Sequence, residues 1–266
     1  MRRLLAASLV ALAAGCAATV PEQPAPEPAF VAVREATPPG ARCDACGERL
    51  ADPAWRWPDG RRACEGCRQD GVTSRADAQA LLGLAREDLR RVVGLEPPDD
   101  GTLRLELVDA PTLAERAGSL AHPRLQALTV AGSARADGGD GDASDGDDGR
   151  TEILVLRGLP RPALRGVLAH ELVHAAQLMQ GATRTPPGGA GPEPAWLEGS
   201  ALWVHARVLR DVGADAWAAR LADPDDPGTG GALRRFDLVV QALGQGRALR
   251  LATTTPRFPA GHERSP

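Results

Sequence analysis

His170-Glu171-Leu172-Val173-His174 sets two histidines four residues apart around a glutamate. On an α-helix such residues share a face, so both imidazoles can aim a ring nitrogen at one ion. The pattern suits a zinc site with His170 and His174 as ligands, and Glu171 placed to take a proton from the water that the metal activates. The bland reading is two surface histidines flanking a glutamate. A catalytic zinc takes three protein ligands, so a third must lie elsewhere in the chain. A second cluster precedes this one. Cys43-x2-Cys46 and Cys64-x2-Cys67 stand seventeen residues apart, within the window for a four-cysteine zinc site. Asp59-Gly60 supplies a hairpin turn between the pairs. Two disulfides are the rival reading in an oxidising compartment, although CxxC spacing suits tetrahedral thiolates better. Four thiolates leave no open position for water, so such a site is structural.

These residues need elements to hold them, and the patterning predicts an α+β chain. Pro162 opens a helix that runs to Gln180, with Gly181 as its cap. Leu164, Leu168, Leu172, Ala175 and Met179 form its apolar stripe, with His170 and His174 nearly opposite, toward a cleft. Ser74 and Asp77 resemble a capping box for a helix reaching Gly94, and Pro97 to Gly101 reads as a turn. Leu103, Leu105 and Leu107 alternate as in a strand. A short helix after Pro111 and strands at Leu128-Thr129-Val130 and Glu152–Leu156 follow. Glu152–Arg157 is expected as an edge strand beside the metal helix, able to pair with an extended substrate. Further helices are expected over Trp196–Val212 and Ala232–Leu243.

Trp196-Leu197-Glu198-Gly199-Ser200-Ala201 resembles the glutamate-ligand helix of the gluzincin metallopeptidases, which makes Glu198 the third zinc ligand. The plainer alternative is a helix-terminal glutamate that favours the helix dipole. The order of the pieces carries a closer likeness. The cysteine pairs come first, then Leu107-Val108-Asp109, then Ile153-Leu154-Val155-Leu156-Arg157-Gly158-Leu159-Pro160-Arg161. Leu168-Ala169 leads into the histidine motif, and Leu197-Glu198-Gly199 follows. Over about residues 41–212 this resembles the plant LIM-domain metallopeptidases that limit organ size and are activated by ubiquitin, together with their bacterial relatives.

The resemblance implies a gluzincin-like peptidase domain: a small antiparallel or mixed sheet, the HExxH helix and the glutamate-ligand helix. A zinc-ribbon or LIM-like module would precede it. It also implies one catalytic zinc on His170, His174 and Glu198, with Glu171 as the base, and one structural zinc on Cys43, Cys46, Cys64 and Cys67. A full LIM domain binds two zincs, and the four module cysteines serve one. Nothing in the chain supports ubiquitin as a partner. Many gluzincins steady the oxyanion with a tyrosine or histidine, and this chain has no tyrosine. His205, seven residues beyond Glu198 and one position off the family's histidine, is the candidate catalytic donor. Its plain alternative is a half-buried histidine bonded to a backbone carbonyl.

Composition bounds these readings. The 266 residues are 43% hydrophobic and 25% charged, which excludes wholesale disorder. All 31 cations are arginine and the net charge is −4. Six aspartates between Ala136 and Arg150 carry −6, which leaves +2 for the rest, so there is no basic footprint for nucleic acid. That acidic stretch, 136–150, lacks EF-hand spacing and reads as a solvated, flexible hairpin tip. Arg2 and Arg3, the run Leu4–Ala14 and then Gly15-Cys16 resemble a bacterial lipoprotein signal over residues 1–15. Cys16 would be the lipidated residue, anchoring the chain in the cell envelope, with the outer membrane favoured. Residues 16–41 then form a proline-rich tether, 42–70 the cysteine module, 71–250 the peptidase domain and 251–266 a loose tail. The expected function is hydrolysis of peptide or protein substrates by a membrane-tethered zinc metallopeptidase. The rival is a non-hydrolytic envelope binding or assembly lipoprotein that retains the fold.

Overall fold

In the computed structural model the described residues are 30–121, 125–131, 150–185, 191–222 and 229–259. The first unit is a three-stranded antiparallel sheet, β1 (Val33–Glu35), β2 (Ala54–Arg56) and β3 (Arg62–Ala63), followed by the short helix α1 (Glu65–Gln69). Cys64 caps α1, and β4 (Gly71–Val72) leads out of the unit. Ser74 caps α2 (Arg75–Asp88) by accepting from the Asp77 amide at 3.1 Å, as the sequence predicts. A wider helical turn, Leu89–Val93, ends at Gly94 in the left-handed region.

β5 (Leu103–Val108) and α3 (Ala110–Ala117) come next, and then β6 (Ala127–Val130) and β7 (Thr151–Leu156). These three strands make a mixed sheet in the order β5-β7-β6, with β5 parallel and β6 antiparallel to β7. β7 is therefore the central strand, which corrects the expectation that Glu152–Arg157 forms an edge. Its unbroken apolar run, Ile153 to Leu156, is what burial on both faces requires. The edges of the sheet belong to β5 and β6.

β8 (Leu159–Pro160) pairs antiparallel with β4 and opens directly into α4 (Arg161–Gln180). Pro162 sits in the first turn of α4, where a missing amide costs nothing, and Gly181 closes it at φ +87°. α4 is buried around most of its circumference: Ala163, Val167, Ala169, Val173 and Ala176 are as covered as the expected stripe, while Met179 is exposed. Arg165 grips the buried Asp88 of α2 through two bonds of 2.6 and 2.8 Å. α5 (Pro194–Asp211) packs on α4, and α6 (Asp215–Leu221), α7 (Thr229–Leu243) and α8 (Gln245–Thr254) complete the helical layer. The chain is thus α+β with small sheets. Among the described residues no helix is long and apolar enough to cross a membrane.

Two boundaries differ from expectation. Residues 30–41, assigned to the tether, build the edge of the module sheet, with Phe30 stacked on Trp57 at 5.3 Å. Residues 251–259, assigned to the loose tail, are anchored: α8 extends to Thr254, and Phe258 is buried against Trp196 at 4.8 Å. One aromatic residue there outweighs the flanking prolines. The signal segment, Cys16 and the acidic stretch 136–149 lie outside the described residues.

The module is joined to the rest at the start of α4. Trp57 lies flat against Gly158 and Gly71, where an added Cβ would meet its ring at 2.9 and 3.0 Å. Gly158 donates to the Val72 carbonyl at 2.7 Å, and Arg61 donates to the Arg157 carbonyl. Asp59, with its side chain fully buried, accepts from the Ala110 amide and pairs with Arg61.

Candidate metal centre

His170 and His174 leave the same face of α4, and Glu198 reaches them from the first turns of α5. The two Nε2 atoms lie 3.0 Å apart, and the Glu198 oxygens stand 3.5 Å from His170 Nε2 and 3.3 Å from His174 Nε2. Tetrahedral zinc with bonds of about 2.0–2.1 Å holds its donors about 3.4 Å apart, so the three side chains fit one such ion. Three residues from three turns of two helices thus form a group able to hold a metal.

The charge balance follows from burial and proximity. Desolvation works against a charged His174, yet the Glu198 carboxylate, with Glu171 and Gln177, outweighs it and pushes the pKa up to about 9. Desolvation dominates at His170 and holds its pKa down. Glu198 pays for its burial and is still held at about 2 by the two histidines. A carboxylate clasped by imidazoles is the charge pattern that a divalent cation would replace.

Two neighbours hold side chains of this group and of Glu171 beside it. Gln177, fully buried one turn beyond His174, accepts from its Nδ1 at 2.7 Å and donates to Ser200 Oγ and the Leu197 carbonyl on α5. That bond keeps the His174 proton on Nδ1 and leaves Nε2 free for an ion. Thr129 on β6 donates to Glu171 Oε2 at 2.6 Å. Neither was singled out from sequence. Gln177 has a signal, an amide within an apolar face three residues past a ligand histidine; Thr129 has none.

His205 is not where the oxyanion role needs it. Leu197 and Ser200 meet Gln177, while His205 and Leu209 meet Gly166, so α5 runs antiparallel to α4. Two turns along α5 carry His205 past the ligands to the rear of His170, ring centroids 5.9 Å apart. Its ring is buried, and burial, with a smaller push from His170, drops its pKa to about 3. It lines no part of the cleft beside Glu171.

That cleft encloses about 1250 Å³. Its floor carries His170, Glu171, His174 and Glu198; β6 forms one wall and α7 the other. Thr183 and Pro194 stand at its rim, and residues 186–190 between them lie outside the described residues.

The four module cysteines come together as free thiols, with all four Sγ atoms within 4.8 Å of one another. Cys46 and Cys64 Sγ are 3.7 Å apart. A disulfide needs about 2.05 Å, whereas tetrahedral Zn–S bonds of about 2.3 Å place sulfurs about 3.8 Å apart. Hydrogen bonding from Cys67 pulls the Cys43 pKa down to about 4, while burial lifts Cys46 to about 11. Without a cation the cluster thus favours one thiolate over its neighbours; a dication would let all four ionise. No family model, curated protein or solved structure matches the chain.

Proposed function

We propose that this chain is a zinc metallopeptidase of gluzincin type, its catalytic ion held by His170, His174 and Glu198 and a structural ion by the four cysteines of a zinc-ribbon or LIM-like module. The observation that carries the reading is the convergence of two Nε2 atoms and a carboxylate at 3.0–3.5 Å beside Glu171, on the floor of an open cleft. Zinc held there would supply the Lewis acidity that polarises a scissile carbonyl and makes water acidic near neutral pH.

The protein's own groups would do the rest. Thr129 fixes Oε2 of Glu171, which leaves Oε1 to take the proton of the attacking water and return it to the departing amine as the C–N bond breaks. The substrate strand would lie along β6. Pairing of Leu128 with Leu154 in register with the Gln126–Leu156 bond turns the backbone of Ala127 and Thr129 outward, toward the cleft. An extended peptide can pair there as an added strand. The likeness of residues 1–16 to a lipoprotein signal supports anchoring through Cys16 in a bacterial envelope, the outer membrane being favoured.

The test is metal analysis joined to casein hydrolysis. The full chain should carry two zincs and cleave casein, with activity lost to chelator and restored by zinc. Glu171→Gln should keep both ions and the fold while losing hydrolysis by a hundredfold or more, on the order of a general base. A metal-replete chain that never cleaves would overturn the reading.

A further inference from the structure

The cleft has an uneven lining. Leu120, Leu125, Leu128, Leu178, Leu197 and Leu238 make its walls, and two of them, Leu120 at 66% and Leu238 at 45%, are openly exposed. Six leucines around one groove, with no aromatic residue, leave room for a branched aliphatic side chain. Leucines lining one open groove suit an apolar side chain of a ligand.

The charged groups on the α7 wall are accounted for save one. Arg235 pairs with Glu193 at 3.1 Å and lies over the Phe258 ring. Asp237 accepts from Trp203 Nε1 at 2.9 Å and from Gln241 at 2.8 Å, so both its oxygens are engaged. Arg234 is exposed, lines the same cleft, and has no hydrogen bond or ion pair among the described residues. It stands one helical turn before Leu238, so the two side chains share a face of α7. An unclaimed guanidinium beside leucine walls is complementary to a carboxylate that arrives next to an aliphatic group.

We propose that the cleft selects an extended peptide carrying a leucine-like side chain and, a few residues away, a carboxylate that Arg234 binds. This rests on the peptidase reading for its consequence, but not for the binding itself. The carboxylate can belong to an aspartate or glutamate side chain or to the peptide's own C-terminus; both present the same planar pair of oxygens to the guanidinium fork.

The experiment uses the full-length Glu171→Gln chain loaded with zinc and immobilised. The probe is a synthetic library of ten-residue, alanine-rich peptides with one leucine and a single Asp, Asn or Lys at each spacing up to four residues on either side. Each peptide is made with a free and an amidated C-terminus, and bound peptides are counted by mass spectrometry. Aspartate peptides at one favoured spacing, or free-acid peptides if the C-terminus is the source, should be enriched about fivefold over their neutral partners, the scale of a partly exposed ion pair. Replacing leucine by serine should remove binding. Arg234→Gln should erase the charge preference, and Arg234→Glu should transfer it to lysine. Neither substitution touches a buried group, so the melting temperature should hold.

Capture that depends neither on the internal Asp, Asn or Lys nor on whether the C-terminus is free or amidated, or a preference that survives Arg234→Glu, overturns the inference. The peptidase reading is judged separately, by wild-type cleavage of the same library. Cleavage without charge preference leaves the peptidase and removes the role of Arg234. Charge-switched binding without cleavage under any metal condition keeps the role of Arg234 and removes the peptidase. No capture of any peptide removes the inference outright.

Discussion

Gly199, next to the third ligand candidate, is where two helices touch through bare backbone. An added Cβ would sit 2.5 Å from the Ala232 carbonyl oxygen and 3.0 Å from its carbon, both on α7. Ordinary contact begins at 3.4 Å, so α7 would have to retreat by about 0.9 Å. A carbonyl within a helix cannot rotate aside, and the retreat would unpack Phe236, which is fully buried beneath it. Overpacking of this kind costs about 3 kcal/mol at the upper end of its usual range. Alanine returns about 1 kcal/mol through helix propensity. The net is a loss of about 2 kcal/mol, or a melting temperature lower by about 4–8 °C in a chain of this size. Gly83 is the control: it is exposed on α2 with nothing within 4 Å of its would-be Cβ. There the propensity term acts alone, and Gly83→Ala should raise the melting temperature by about 2–4 °C. Both variants belong in one calorimetric series on metal-replete protein. If Gly199→Ala melts higher than wild type, as Gly83→Ala should, the close approach of α5 and α7 is wrong, and the width of the cleft between β6 and α7 with it.

Thr129→Val should lower kcat about tenfold with little change in KM and an unaltered zinc content, because a charge-assisted hydrogen bond to Glu171 is lost; Thr129→Ser should restore most of it. A shift confined to KM would make Thr129 a substrate contact rather than a positioning residue. Cys64→Ser should lose one of the two zincs and melt well below wild type, read by metal analysis and calorimetry together; retention of both ions would dismiss the four-thiolate site. His205→Ala should cost about 3 kcal/mol through the cavity behind His170, while turnover per zinc-loaded molecule stays within a few-fold. A collapse of turnover at unchanged stability would return His205 to the oxyanion.

What the sequence made legible was local. The Ser74–Asp77 cap, the alternation at Leu103–Leu107, Pro162 and Gly181 at the ends of α4, and the four-residue spacing of its histidines all act within a turn or two of chain. Glu198 was reached through likeness of a short string, and its place beside the histidines depends on how α5 crosses α4. The misses were matters of tertiary geometry. Thr129 and Glu171 are 42 residues apart, and no local pattern marks a strand hydroxyl that will face a helix carboxylate. The central position of β7 is set by a parallel pairing with β5, across all of α3 and β6. His205 was placed correctly on its helix and wrongly in space, since a shared face says nothing of which neighbour that face meets two turns on. α6 and α8 are short, and their amphipathic signal is cut by Gly213 and Gly244.

The ladder of β4 with β8 gives the cysteine module a part in a centre it does not touch. β8 is the last two residues before α4, and its partner strand leaves α1 only two residues after Gln69, close behind the thiol cluster. An ion held by the sulfurs would stiffen the seat of the helix that presents His170 and His174, and the two capture events would be thermodynamically linked. On the proposed reading the linkage is reciprocal: an ion at either centre would favour capture at the other. Metal supply would then act on both centres together rather than on each alone.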